Sequence, residues 1–192
     1  MRNKYCASEF FSNIVALVFT KIFYRPARLI RRPIYLRGKK SLSIGKNLTI
    51  GHSCRFDLEG KKKTLFIGEN CEFGDYTHIV ALSEVRIGND VLIASKVFIS
   101  DTNHGIYKGD RQDNPLNPPN NRTLEKKPVF IGNNVWIGEN VVILPGSSIG
   151  DGCIIGANSV VSEIIPENSI VVSNNKIIKT WDSKTKKWAN NK

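Results

Sequence analysis

The chain has 192 residues, 41% of them hydrophobic, which is enough for one domain with a buried core. Its 28 Lys and Arg against 17 Asp and Glu give a net charge of +11; eight basic residues and no acidic one lie between Lys21 and Lys40, and six against one Asp lie from Lys176 onward. Such fields favour anionic partners, but these lack the interleaved aromatics or reading module of a nucleic-acid binder, and the four cysteines without CxxC spacing argue against a zinc cluster or a disulfide frame.

Residues 1–40 form an apolar and then basic helical segment. In "EFFSNIVALVFTKIFY", Phe10, Phe11, Ile14, Val15, Val18 and Ile22 are compatible with one helix face. The stretch is short for a membrane span and is interrupted by Ser12, Asn13 and Lys21. It also lacks the small-x-small site of a signal peptide. The same pattern suits a helix capping the core or one lying on an anionic membrane through residues 8–32, where "RPARLIRRP" follows. The sequence leans to the second. That would place a cytoplasmic protein at the inner face of its membrane, and reduced cysteines fit that compartment.

From residue 41 to 172 an aliphatic or aromatic anchor recurs every six positions. Ile44, Ile50 and Phe56 are followed by Ile67, Phe73 and Ile79, then by Ile87, Ile93 and Ile99. After a gap come Ile131, Ile137, Ile143, Ile149, Ile155 and Val161. A period of six is neither helical nor that of a hairpin; it fits short strands separated by tight turns. The fold class is all-β, a parallel β-helix of three sixes per coil and roughly five coils. The small residue four after each anchor also points inward, so Cys54, Cys71 and Cys153 read as core fillers beside Val91, Val97, Val135 and Val141. Gly after the anchor, or Asn and Asp two or three later, lets the backbone bend. A solenoid needs caps at its ends, and the N-terminal helix and the basic tail 173–192 are the candidates.

The rhythm stops in "FISDTNHGIYKGD", and a loop from 105 to 128, rich in Asn, Asp, Pro and Lys, protrudes before it resumes. Loops of that length in a compact fold are usually functional arms or disordered.

"LIASKVFISDTNHGI" and "IGNNVWIGENVVILPGSSIGDGCIIGANSVV" resemble the hexapeptide-repeat acyltransferases. Within that superfamily they are most similar to the sugar O-acetyltransferases of lipopolysaccharide and capsule assembly, and more distantly to the galactoside and maltose acetyltransferases. The likeness covers roughly residues 65 to 180. It implies a left-handed β-helix, a homotrimer with clefts between neighbouring prisms, acetyl-CoA as co-substrate, no metal, and a glycan or sugar acceptor.

By the same resemblance His104 is the general base, and a neutral imidazole has nearly the right unperturbed pKa for that task. The backbone N–H of Glu139 is the oxyanion donor. Trp136, Gly138, Gly156, Ala157 and Ser162 line the acetyl-CoA groove, and Lys176 and Lys179 meet its phosphates. Glu163 stands where a relative carries Lys, and "SNN" from Ser173 replaces a Gly-x-Pro turn. Asp75, Tyr76 and His78 are candidate acceptor contacts. Asp101 and Asn103 are candidates to orient the imidazole or the sugar, with turn chemistry as an equal explanation.

The alternatives are an N-acyltransferase acting on an amino sugar, a small-molecule (xenobiotic) acetyltransferase, and a partner-binding solenoid without catalysis. A zinc-dependent carbonic anhydrase on the same scaffold needs three imidazoles. The chain has only His52, His78 and His104, and Gly109 stands where the second of a close pair belongs.

Overall fold

The computed structural model describes residues 6–191; residues 1–5 and 192, the outer ends of the segments 1–40 and 173–192, lie outside it. Helix α1 (Ala7–Phe23) comes first, and the chain then winds into a prism with three sheet faces. Sheet A stacks Leu29–Ile30, Thr49–Ile50, Glu72–Phe73, Leu92–Ile93, Trp136–Ile137, Ile154–Ile155 and Ser169–Val172 in parallel. Sheet B runs from Ile34–Arg37 through Cys54–Leu58, His78–Ala81, Phe98–Ser100 and Val142–Ile143 to Val160–Val161. Sheet C runs from Leu42–Ile44 through Leu65–Ile67, Val85–Ile87, Val129–Ile131 and Ser148–Ile149 to Ile164–Ile165.

Sheets B and C each hold six strands, so six coils are complete and a seventh begins at Ser169, against the five expected from the anchors. The additional strands break the hexad rule. Ile30 is followed by Arg31 and not by glycine, and Ile165 comes only four residues after Val161. The solenoid accordingly starts at Leu29.

The anchors form the core: Ile50, Phe73, Ile93, Ile137, Ile155 and Val171 stack under sheet A with at most 1% exposure. The small residues at the fourth position, Cys54, Cys71 and Cys153 among them, fill the corners between anchors. Glycine after the anchor serves a purpose other than bending. A Cβ on Gly88 would lie 2.6 Å from the Gly132 carbonyl oxygen, so a side chain there would hold two coils apart. The bend is made three residues after the anchor, where Asn70, Asp90, Asn134, Asn140 and Asn158 have φ between 55° and 63°. Asn and Asp tolerate that left-handed conformation better than other side chains.

Burial pushes the thiols of Cys54, Cys71 and Cys153 up, that of Cys54 to about 11. Only a thiolate reacts readily. A native chain at pH 8 is therefore expected to label at one thiol, the exposed Cys6, and at four once unfolded. A thiol reagent titrated with and without denaturant checks this, and two or more fast thiols in the native protein would contradict it.

Helix α1 packs on the first coil by a narrow stripe. Ala16 and Thr20 are buried, and the Thr20 hydroxyl donates to the Ala16 carbonyl (2.7 Å) and accepts the Ile30 N–H (2.9 Å). At the other end Lys176–Asp182 turns back antiparallel on Ser169–Val172, and Lys187–Asn190 adds to it. Trp181 and Trp188 meet edge to face across that hairpin at 5.4 Å.

Candidate active site

The break in the rhythm falls on the prism edge where the chain passes from sheet B to sheet C. Thr102–His104 leaves the wall and pairs antiparallel with Leu124–Lys126, His104 opposite Leu124, to make a two-stranded arm. Asp101 roots it. Its carboxylate accepts the N–H groups of Leu82 (3.0 Å), Ser83 and Glu84 (2.8 Å), and it is 0% exposed. Those three donors belong to the half-buried turn of the preceding coil. Asp101 therefore holds the arm to the prism, which favours turn chemistry over the orienting or acceptor-binding role as the explanation for this residue. Asn103 is exposed, but successive strand residues project to opposite faces, so it does not share a face with His104.

The His104 imidazole is exposed, and among the described residues it makes no hydrogen bond. What fixes its backbone is a set of contacts that sequence reasoning missed. The Tyr107 hydroxyl donates to the His104 carbonyl and accepts from Arg122 (2.9 Å). Arg122 also donates to the carbonyls of Pro115 (2.8 Å) and Asn117 (3.0 Å). Asp113 accepts the N–H groups of Ile106 (2.8 Å) and Thr123 (3.1 Å), and these donors hold its carboxyl below the usual value. The loop is thus ordered by its own polar groups. The available signal was a set of charges of both signs, Asp113 and Arg122 among them, inside a stretch without core anchors.

The second group of residues lies on the edge where sheet A passes to sheet B. Here, in the second and third coils, the residue after the glycine donates its N–H to a side chain on the next coil. His52 donates to Asp75 Oδ1 (2.6 Å), and Asp75 donates to Ser95 Oγ (3.1 Å). The ladder ends at Ser95, whose N–H finds no acceptor among the described residues, and on the next coil Glu139 faces Ala157, whose methyl accepts nothing. Among the described residues no hydrogen bond takes up the Glu139 N–H. The Glu139 carboxylate turns to Lys96 (3.4 Å). Gly138 is needed for close stacking, since a Cβ there would lie 2.6 Å from the Ala157 nitrogen. A side chain on Gly156 would come within 3.1 Å of Val172.

Trp136 projects from sheet A between Leu92 and Ile154 and is 51% exposed, giving an apolar strip beside the open N–H. Lys176 and Lys179 stand on the strand beyond the last coil. Ser162 is on the sheet B to sheet C edge, where Asn175 takes its N–H (2.9 Å) and donates to its hydroxyl (2.8 Å). This is the local use of the "SNN" turn, and it occupies Ser162 within the protein.

Asp75 and Tyr76 share the edge of Glu139, with Asp75 bound to the His52 N–H and Tyr76 exposed at φ 59°. His78 is elsewhere, on the outer face of sheet B. Its Nε2 lies 3.0 Å from Asp57, and its ring meets that of Phe98 at a tilt, with centroids 5.2 Å apart. Burial acts to raise the Asp57 pKa, but His78, Arg55 and Arg37 together hold it below the usual value. His78 is thereby tied into a structural cluster, away from the edge that carries Asp75 and Tyr76.

One chain therefore keeps the two groups apart. His104 stands on one edge of sheet B, and Glu139, Asp75, Tyr76 and Ala157 stand on the other.

Residues 128–163 match the family described as bacterial transferase hexapeptide (six repeats). The Escherichia coli protein WbbJ, named for O-acetyl transfer in lipopolysaccharide biosynthesis, is 44% identical over 190 residues, which is 98% of this chain and 96% of that one. The fold matches AntD, an N-acyltransferase from Bacillus cereus solved with a dTDP-sugar and coenzyme A, at a TM-score of 0.71 and 23% identity over 96% of this chain and 94% of that one. A hexapeptide-repeat acetyltransferase from Vibrio cholerae, complexed with acetyl coenzyme A, matches at a TM-score of 0.57 and 27% identity over 69% of this chain and 70% of that one. With hexads, a three-sheeted prism and 44% identity to WbbJ over nearly the whole chain, this chain belongs to the hexapeptide-repeat acyltransferases, acetyl-CoA-dependent enzymes built on a left-handed β-helix.

Proposed function

We propose that the protein transfers acetyl from acetyl-CoA to a sugar hydroxyl in the assembly of lipopolysaccharide, O-antigen or capsule. One observation carries the reading: the Glu139 N–H is left open above Ala157, beside the exposed Trp136, on an edge whose earlier coils close the same N–H at His52 and Asp75. Acetyl-CoA supplies a thioester carbonyl. The His104 imidazole takes the proton of the attacking hydroxyl, which is a poor nucleophile until that proton is leaving, and returns it to the departing sulfur. The Glu139 N–H holds the charge that builds on the carbonyl oxygen. Trp136 with Leu92 and Ile154 suits the pantetheine arm, and Lys176 and Lys179 suit the phosphates. The name of WbbJ supports a glycan acceptor.

His104 and Glu139 meet only if two copies share the site. Three prisms with sheet B facing a common axis set the His104 edge of each against the Glu139 edge of the next. The half-buried Phe98, Val142 and Val160 on the outer face of sheet B are suited to that contact. Purified protein incubated with acetyl-CoA and a panel of glycans from its source is expected to release free thiol with one of them. Light scattering is expected to give a trimer. No release with any glycan, or an active monomer, would sink the reading.

The same reading covers the N-terminal helix. Phe11, Val15, Val18 and Ile22 form an outward arc on α1, each more than half exposed, beside Lys21 and Arg25. No helix among the described residues is long and apolar enough to cross a membrane. The arc suits a helix lying on an anionic surface, where each basic residue close to the lipid contributes about 1 kcal/mol. Intact protein is expected to co-sediment with anionic vesicles at low salt, and Phe11→Ser combined with Val15→Ser to lose binding without a change in melting temperature. Absence of co-sedimentation would end the membrane assignment.

A further inference from the structure

Beside the last turn of α1 the first coil leaves a cleft of about 730 Å³, bordered by Arg25, Lys39, Lys40 and Lys63 and walled by Ile22, Phe23 and Leu42. It lies at the N-terminal end of the prism, against the first strand of sheet C, and holds none of the residues assigned to acetyl transfer.

We infer that this cleft binds the headgroup of an anionic phospholipid, one per chain, and seats the N-terminal end of the trimer on the membrane. The site deepens the membrane contact proposed for α1 and rests on that reading for the lipid surface; it is independent of acetyl transfer.

Charge points to an anion. The lining carries four positive charges and no carboxylate. Glu59, on the turn leading to Lys63, accepts the N–H groups of Lys61 (2.7 Å) and Lys62 (3.1 Å), two further cations that outweigh it. The carbonyl end of α1 also faces this space and acts as about half a negative charge. That leaves a clear positive excess. The excess is not used within the protein. Among the described residues the Arg25 and Lys40 side chains form no hydrogen bond or ion pair. Lys63 Nζ donates to the Leu42 carbonyl (2.6 Å), and Lys39 Nζ lies over the rings of Tyr24 (4.6 Å) and Phe23 (5.4 Å), so neither meets a carboxylate.

Three features select a lipid over other phosphates. Lys39 covers Phe23 on one side and Phe19 packs 4.5 Å away, while Tyr24 is buried, so a nucleotide base finds no ring to stack on. Ile22 and Phe23 rise beside the cations at 61% and 52% exposure, and Ile22 ends the apolar arc of Phe11, Val15 and Val18. A free phosphate leaves that surface in water, whereas acyl chains next to the headgroup cover it. The last feature is symmetry. Parallel prisms about the proposed threefold axis set three first coils at one end and three C-terminal hairpins at the other. A flat anionic surface engages all three clefts at once, with the axis upright on it.

Dihexanoyl phosphatidylglycerol below its micelle concentration is the probe, titrated calorimetrically into the full chain, and is expected to bind at one per chain. Dihexanoyl phosphatidylcholine keeps the tails without the net charge, and glycerol 3-phosphate keeps the phosphate without the tails. Each is expected to bind at least about tenfold more weakly. Arg25→Gln combined with Lys40→Gln is expected to weaken the probe about thirtyfold, the effect of two basic residues. Lys184→Gln combined with Lys186→Gln removes the same charge from the C-terminal hairpin and is expected to change nothing. Lys63→Gln replaces Arg25→Gln if the first pair lowers the melting temperature. Equal binding of phosphatidylcholine or glycerol 3-phosphate, equal loss with both pairs, or no binding of the probe would overturn the inference. Phosphatidylglycerol vesicles separate the two membrane readings. Co-sedimentation that ignores Arg25 and Lys40 leaves α1 on the surface and removes the cleft; binding of the soluble lipid by a chain that ignores vesicles removes the α1 contact and the seating and leaves the headgroup site in place.

Discussion

His104→Ala lowers turnover by about 10²–10⁴-fold, the usual cost of removing a general base, and leaves the melting temperature where it was. The second half of that expectation comes from the arm. His104 is exposed, contributes its carbonyl to Tyr107, and adds nothing to the prism core, so the substitution leaves the Asp101 root and the Arg122 contacts intact. Thiol release from acetyl-CoA with the glycan acceptor gives the rate, and circular dichroism on heating gives the stability. Partial rescue by added imidazole would assign the loss to the missing base. Near-normal turnover would remove His104 from the chemistry.

Ala157→Asn acts at the opposite edge and by addition. An amide oxygen there adds an acceptor on the next coil, of the kind that Asn133 and Asp151 supply on the sheet C to sheet A edge, where Asn89 donates to Asn133 Oδ1 and Asn133 to Asp151 Oδ1. It would claim the Glu139 N–H. Loss of an oxyanion donor costs about 10²–10³ in turnover, while the added bond raises stability by about 1 kcal/mol. The variant is thus expected to melt higher and work far less, with the KM for acetyl-CoA changed much less than kcat. Unchanged turnover in a variant that melts higher would show that the Glu139 N–H has no catalytic part. The two variants also test each other. In trimers reassembled from equal amounts of both, roughly one site in four unites an intact His104 with an intact Glu139 edge. Activity should return to about that fraction if sites are shared, and stay at background if each chain works alone.

Much of the fold is legible because a hexad pattern is an explicit statement about stacking. Ile50, Phe73, Ile93 and Ile137 show themselves as one column before any coordinates exist, and the three buried cysteines follow from their offset. The first coil is hidden because Arg31 stands where a glycine belongs and Ile34–Arg37 lacks the repeat's turn residues. The site is legible by residue and illegible by contact. His104 follows an anchor of sheet B and Glu139 an anchor of sheet A, so their separation could be worked out by assigning anchors to faces. That Asp101 gathers three N–H groups from another coil, or that His78 is tied to Asp57, depends on side-chain directions that spacing does not carry.

The hairpin of Lys176–Asp182 and Lys187–Asn190 bears on the fate of the protein at high concentration. A parallel coil that ended flush would offer the next molecule a bare row of peptide groups in perfect register, and prisms could add end to end into fibres. By folding back on the last coil, the hairpin covers that row with a pair of antiparallel strands, and Lys184, Lys186 and Lys187 make its outer margin mutually repellent. Chains trimmed after Val172 would lose this guard, so proteolytic nicking near Ser173 would turn a discrete particle into a seed for polymerisation.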